Sequence, residues 1–206
     1  LRFQRTWIEL DQHLIFFYEL TGNKPHRLHL PIDRLEPFLD ARLLSTERQR
    51  LAELILARVS TRKPASYLLN KAYVGGVPFY VDERVIVPRS FIAELIAQGC
   101  IDPWLDDRTR RVLDLCTGNG SLAVLAALAW PEVLVDGSDL SPEALAVARI
   151  NIERHQLQAR VQLHQCDGLS ALTGPYDLIV CNPPYVNTHS MTALPAEYQN
   201  EPALAL

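Results

Sequence analysis

Residues 111–129 read RVLDLCTGNGSLAVLAALA, and this stretch decides the fold. The apolar run Val112–Leu115 predicts a buried strand, and the run Ser121–Ala129, rich in alanine and leucine, predicts a helix. The turn between them holds two glycines, which let a backbone take positive φ and approach a ligand closely. In a parallel α/β sheet such a turn lines the ligand crevice. A tight turn without any ligand explains a short glycine motif as well.

The alternation of predicted strands and helices continues toward the C-terminus. Short apolar runs predict strands at Val133–Val135, Val161–His164 and Leu178–Val180. A helix beginning at Ser141-Pro142 connects the first two of these strands, since proline suits a first helical turn. Strands that alternate with helices imply a parallel sheet with right-handed crossovers. The predicted fold class is therefore α/β, with a Rossmann-like sheet.

The residues before the sheet divide into two further parts. Residues 1–63 are expected to form a helical domain, residues 64–108 a β-hairpin and linker, and residues 109–206 the sheet domain. In the helical part, Thr46 and Gln49 predict a capping box, and Lys63-Pro64 predicts the end of that helix.

The linker carries a hairpin signal. Strands are predicted at Tyr67–Val74 and Val77–Val81, on either side of Gly75-Gly76. A short helix is expected at Phe91–Gln98, followed by a polar connection from Asp102 to Arg110.

Composition narrows the function classes. The chain has 206 residues, 48% of them hydrophobic, a net charge of −4 and four cysteines without CxxC spacing. No apolar run reaches the roughly 20 residues that span a membrane. The cysteine pattern argues against zinc or redox motifs and favours reduced thiols in a cytoplasmic protein. The negative charge argues against a protein that coats nucleic acid, which needs a basic surface. No metal site and no stable nucleic-acid binding are expected.

The most specific motif is Asn182-Pro183-Pro184-Tyr185, directly after the last predicted strand. Asn182 and the Pro183 carbonyl can accept hydrogen bonds from a planar amino group, which orients a poorly nucleophilic nitrogen and stabilises positive charge on it. Tyr185 can pack against the planar group. A proline-rich loop that merely ends a strand is the simpler explanation, but it requires neither the asparagine nor the aromatic residue.

Two acids follow predicted strands. Asp139 lies about 20 residues beyond the glycines, where an acid can accept the hydroxyls of a ribose. A helix cap is the alternative role, but Ser141 suits that role better and would leave Asp139 free. Asp167 could accept a hydrogen bond from an adenine amino group, and a solvated strand end explains it equally well.

Taken together, the motifs resemble the class I S-adenosylmethionine-dependent methyltransferases. Asp114–Gly120 and Asn182–Tyr185, in this order and spacing, are similar to the HemK-type protein glutamine N5-methyltransferases. Tyr67–Tyr73, Phe79–Ser90 and Leu194–Pro202 resemble the PrmB branch, which modifies a glutamine on the third protein of the large ribosomal subunit. The resemblance covers about residues 40–206.

The resemblance implies a donor site, an acceptor site and a protein partner. The donor would be S-adenosylmethionine, held by Cys116, Thr117, Gly118, Asn119 and Gly120, with Asp139 on the ribose. Asn182 would contact donor and acceptor, and Pro183, Pro184 and Tyr185 would grip the glutamine amide. Residues 1–63 would recognise the ribosomal protein. Sheets of this family have more strands, so the C-terminal strands are expected to be missing.

Three alternatives stay open at this point. Methylation of a release factor shares the motif, although Pro88-Arg89-Ser90 differs from the Pro-Arg-Pro usual in that branch. Methylation of adenine N6 in nucleic acid is the second alternative, because a flipped base presents a similar amino group. The negative net charge of the chain argues against it. An inactive, truncated module that only binds ribosomal protein is the third.

Overall fold

The computed structural model describes residues 44–186 and 197–205. These residues fall into two compact units that divide between Leu69 and Asn70. The smaller unit contains two helices, and the larger contains a hairpin and a four-stranded sheet with its helices. Most of the expected helical domain, residues 1–43, lies outside the described residues.

The first helix of the smaller unit, α1, spans Ser45–Thr61. The predicted capping box at Thr46 and Gln49 is wrong, because the N-cap is Leu44, two residues earlier, and both predicted residues lie inside the helix. The backbone N–H of Leu44 instead donates to Oε2 of Glu47 at 2.7 Å, which gives one half of a capping box.

The end of α1 agrees with the sequence. Arg62 takes a left-handed conformation with φ of 58°, and Lys63-Pro64 follows. A second short helix, α2, spans Ala65–Leu69. Leu51 and Leu54 of α1 pack against Ala65 at the start of α2 and form a small core with it.

The larger unit opens with the hairpin. Strands β1, Ala72–Val74, and β2, Val77–Phe79, pair antiparallel. Gly75 and Gly76 connect them with φ of 56° and 77°. Positive φ at both central residues is the two-residue turn that matches the twist of a hairpin.

Both hairpin strands are shorter than predicted. Tyr67 lies in α2 rather than in a strand, and Asn70 turns the chain with φ of 51°. The Asn70 side chain donates to the backbone carbonyl of Val81 at 3.1 Å. A helix, α3, follows at Phe91–Ala97, and the polar connection contains a 3₁₀ turn at Asp102–Trp104.

The sheet has four parallel strands in the order β5-β4-β3-β6. They are β3 Arg111–Leu115, β4 Leu134–Asp139, β5 Val161–Gln165 and β6 Leu178–Cys181, and two helices lie between them, α4 Ser121–Ala129 and α5 Pro142–Arg154. The α/β fold class is confirmed, and all four predicted strands and both helices are present.

Strand β4 is longer than its apolar run. The prediction stops at Val135, but pairing continues through Gly137 and Ser138 to Asp139. A Cβ at Gly137 would lie 3.0 Å from the Leu163 side chain, so glycine permits close packing there. The second half of this buried strand is not apolar in sequence, so an apolar pattern alone does not predict it.

One face of the sheet carries the core. Val112, Val135, Val161 and Val180 supply one residue from each strand, and the alanines of α4 pack against them. These alanines are almost fully buried. Their small side chains bring the helix close to the sheet, which fixes the loop that precedes it.

The strand order places a crevice at one edge. The chain runs outward from β3 through β4 to β5, and then returns to β6 on the other side of β3. The loops after β3 and β6 therefore leave neighbouring strands at the same edge, which is where open α/β sheets bind ligands. None of the helices in the described ranges is long and apolar enough to cross a membrane.

Candidate active site

The turn between β3 and α4 is a tight loop with three left-handed residues. Cys116, Gly118 and Gly120 have φ of 61°, 55° and 80°. A Cβ at Gly120 would lie 3.1 Å from the Cβ of Ala148 and 3.2 Å from its Cα. Glycine at this position therefore lets α4 begin directly against α5.

Asp114 supports this loop from inside the sheet. Its carboxylate accepts hydrogen bonds from the Thr117 hydroxyl at 2.6 Å and from the Ala123 N–H at 2.9 Å. Complete burial raises the pKa of Asp114 from 3.8 to about 7. Sequence reasoning assigns no role to Asp114, although an acid inside an apolar strand is a usable signal.

Asn151 of α5 ties the same loop to the hairpin. Its amide donates to the carbonyl of Asn119 at 2.8 Å and to that of Tyr80 at 3.0 Å, and its oxygen accepts from the Tyr80 N–H at 2.7 Å. The side chain is fully buried. Sequence reasoning missed this residue, although it is the polar exception on the apolar face of α5.

Asp139 joins two turns. Its Oδ2 accepts from the Gly118 N–H at 2.8 Å, and its Oδ1 accepts from the Ser141 N–H at 2.9 Å. Ser141 caps α5 as predicted, with its Oγ accepting from the Ala144 N–H at 3.1 Å. The prediction that this cap leaves Asp139 free is wrong. Each carboxylate oxygen nevertheless has a second acceptor site.

The Asn182 motif follows β6 directly. Leu115 pairs with Cys181 in the parallel ladder, so Asn182 and Cys116 leave neighbouring strands at the same level. Asn182 is half-buried, whereas Pro183, Pro184 and Tyr185 are exposed. The sheet therefore brings the two predicted motifs together at its carboxyl edge.

Two adjoining cavities occupy this edge, of about 230 Å³ and about 350 Å³. We call them the first and the second cavity. Of the predicted residues, the first cavity is lined by Cys116, Gly118, Asp139, Asp167, Asn182 and Pro184. The second is lined by Cys116, Thr117, Gly118, Asn119, Asn182, Pro183 and Tyr185. Gly120 lines neither cavity, and its place is the contact between α4 and α5.

The pKa values of the Cys116 and Cys181 thiols at this edge are raised. Burial, with a further contribution from the neighbouring Cys181, raises the pKa of Cys116 to about 11. A thiol with such a pKa is a poor nucleophile at neutral pH. Within residues 44–186 and 197–205, no cluster of three or more His, Cys, Asp or Glu could hold a metal ion.

Comparisons with known proteins agree with this geometry. Residues 100–197 match the family described as the methyltransferase small domain. The chain is 55% identical to the ribosomal protein uL3 glutamine methyltransferase of Bordetella pertussis, over 88% of this chain and 61% of that protein. It is 50% identical to the protein of the same name from Burkholderia pseudomallei, over 88% of this chain and 62% of the relative. The chain thus spans less than two thirds of these relatives.

Among solved structures, the hMettl16 catalytic domain superposes with a TM-score of 0.49 at 14% identity. The match covers 79% of this chain and 56% of that one.

Proposed function

We propose that the protein carrying this chain methylates a glutamine in ribosomal protein uL3, because residues 100–197 match the methyltransferase small domain and the relatives are named for that reaction. The methyl group would pass from S-adenosylmethionine to the side-chain amide nitrogen. One observation carries the proposal. The loop after β3 and the Asn182 motif after β6 line two adjoining cavities that share Cys116, Gly118 and Asn182. A donor and an acceptor bound there would meet beside Asn182.

The first cavity suits the donor. A Cβ built at Gly118 meets no atom of the described residues within 4 Å, so the backbone is open to a ligand. Ser138 lines the same cavity, and its hydroxyl is buried without a hydrogen-bond partner in the described parts of the chain. Such an orphaned group fits a site that a polar ligand completes.

In this proposal, S-adenosylmethionine supplies a methyl group on a positively charged sulfur. Residues 116–119 would hold its methionine and ribose parts. Each carboxylate oxygen of Asp139 accepts one backbone N–H, from Gly118 or from Ser141, and has one further acceptor site. These further sites would accept the ribose hydroxyls. Asp167 accepts the adenine amino group, which is consistent with its position in the lining of the first cavity.

The second cavity suits a planar amide. The Asn182 side-chain oxygen and the Pro183 carbonyl accept the two amide N–H bonds and so direct the nitrogen toward the first cavity. The same oxygens stabilise the positive charge that develops on nitrogen during transfer. Pro184 keeps this part of the backbone stiff, and Tyr185 covers the planar face.

The remaining roles extend the same proposal. We assign residues 1–63 to recognition of uL3, residues 64–108 to the connection, and residues 109–206 to the methyltransferase domain. The substrate would place the reaction in the cytoplasm.

A transfer assay with labelled S-adenosylmethionine tests the proposal. Under-methylated uL3, a release factor and nucleic acid are offered side by side. Label in uL3 alone is the expected result. Label in a release factor or in adenine would retain the chemistry and overturn the substrate. A folded protein that binds the donor but labels no acceptor would overturn the activity.

A further inference from the structure

An ion pair that is buried at its glutamate end joins two distant parts of the larger unit. The Arg89 guanidinium donates to the two carboxylate oxygens of Glu201 at 2.7 and 3.2 Å. Only 2% of the Glu201 side chain is exposed, against 38% for Arg89. The guanidinium also lies 4.7 Å from the centre of the Tyr198 ring. The pair is bidentate and stacked, a geometry that lysine cannot reproduce.

One end of the pair belongs to the second cavity. Pro88, Arg89 and Ser90 line it together with Asn182 and Tyr185. Ser90 also caps α3, since its Oγ accepts from the Ile92 N–H at 3.2 Å. The guanidinium therefore projects from a backbone that the start of α3 fixes in place.

The segment that carries the other end, Glu201, lines both cavities. Residues 198–205, with Glu201 at their centre, form two 3₁₀ turns, Tyr198–Asn200 and Ala203–Ala205. Pro202, Leu204 and Ala205 line the first cavity, and Tyr198 and Ala205 line the second. This segment is thus a wall common to both cavities, and Glu201 fastens it.

Loss of either partner should move this wall. Without Arg89, the Glu201 carboxylate would keep a charge that burial penalises strongly. A shift of the segment toward water would relieve that cost and would reshape both cavities together.

We propose that Arg89 and Glu201 are positioning residues that hold residues 198–205 as the common wall of the donor and acceptor sites and so couple the two sites. This inference rests on the proposed function for the identity of the two ligands. It adds a residue pair that touches neither reacting atom but sets the shape of both subsites.

The chain offers a matched control. Arg111 forms an ion pair of 2.6 Å with Asp136, with side-chain exposures of 36% and 9%. This pair resembles Arg89–Glu201 in length and burial but lines neither cavity. Arg111→Lys therefore reports the structural cost of losing a guanidinium from an ion pair away from the cavities, where Asp136 keeps His164 as a second partner at 2.8 Å.

The experiment compares Arg89→Lys, Glu201→Gln and the reversed pair Arg89→Glu with Glu201→Arg against Arg111→Lys. Melting temperature, the Kd of S-adenosylmethionine by calorimetry and the KM of the acceptor are measured for each. Arg89→Lys and Glu201→Gln should raise both Kd and KM about tenfold, because small misplacements are costly at such sites. Arg111→Lys should lower the melting temperature alone, and the reversed pair should recover part of both affinities.

Two results would overturn the inference. One is a set of Arg89 and Glu201 variants whose Kd and KM equal those of the unaltered protein, with only the melting temperature lowered as in Arg111→Lys. The other is an unaltered protein that binds no S-adenosylmethionine, which removes the proposed function as well. If the donor binds but a different acceptor takes the label, the substrate proposal fails alone, and the coupling is scored on that acceptor.

Discussion

The two sides of the crevice are built in opposite ways. On the side of the first loop, Thr117 and Asn119 are only 5% and 4% exposed, and side chains from β3, β4 and α5 hold the backbone. On the other side, Tyr185 is 76% exposed. Rigidity there comes from two consecutive prolines, whose rings fix φ, and from the wall that Arg89 and Glu201 fasten.

The difference follows from the sizes of the proposed ligands. A small donor can be surrounded, so burial and hydrogen bonds can shape its site before it arrives. A glutamine in a protein must enter from the surface, so its site has to stay open. On the acceptor side, the proline rings supply the rigidity that burial supplies on the donor side, because burial of the acceptor side would block the substrate.

The largest effect that this comparison predicts is at Asn182. Asn182→Ala should lower kcat by a hundredfold or more, since one lost charge-stabilising group typically costs about that much. Donor affinity should stay nearly unchanged, because the first loop has its own supports. Single-turnover transfer and calorimetric donor binding measure the two effects. An equal loss of donor binding and transfer would show that the two sides are not built independently.

A smaller effect is expected at Gly120, on the buried side. Gly120→Ala combines a left-handed φ with a Cβ contact to Ala148, so it should lower the free energy of unfolding by about 2–4 kcal/mol. Donor affinity should fall with it. Urea unfolding gives the first quantity and calorimetry the second.

Gly76→Ala is the control for backbone strain. Its φ of 77° is similar, but a Cβ there meets no atom of the described residues within 4 Å. Its cost should be about 1 kcal/mol, with donor affinity unchanged. Equal losses in both variants would mean that the close approach of α4 and α5 contributes nothing.

The last prediction is a pH dependence at Asp114, which appears as a slope rather than as a fixed loss. Its native pKa of about 7 lies above the unfolded value of 3.8, so between these values the native state holds a proton that unfolding releases. Asp114 therefore favours the folded state most below pH 4, and this contribution falls as pH rises toward 7, by about 1 kcal/mol per pH unit.

Asp114→Asn tests this sign. Asparagine keeps an oxygen that can accept from the Thr117 hydroxyl and the Ala123 N–H, but it cannot titrate. Urea unfolding at pH 5, 6 and 7 should therefore show a flatter profile for the variant. Parallel profiles for the two proteins would rule out the assigned titration.

Local patterns predicted the sheet and both motifs well, because each strand is a short apolar run and each loop has its own residue signature. They failed where a residue's partner is remote. Glu201 lies 112 positions from Arg89, and no local pattern joins them. Asn151 contacts a loop 32 positions away and a hairpin 71 positions away. Asp139 was predicted to be free, but it accepts hydrogen bonds from the N–H groups of Gly118 and Ser141, which lie in different turns.

The strand order also sets a sequence of assembly. Strand β4 reaches β3 through a single helix, whereas β6 can pair with β3 only after everything between Leu115 and Leu178 has been made. Closing the longer loop costs more chain entropy, and contacts distant in sequence slow folding. Asp139 and Gly118 can therefore meet while the nascent chain is still short. The Asn182 motif is set in place later, against a loop after β3 that these contacts have already shaped.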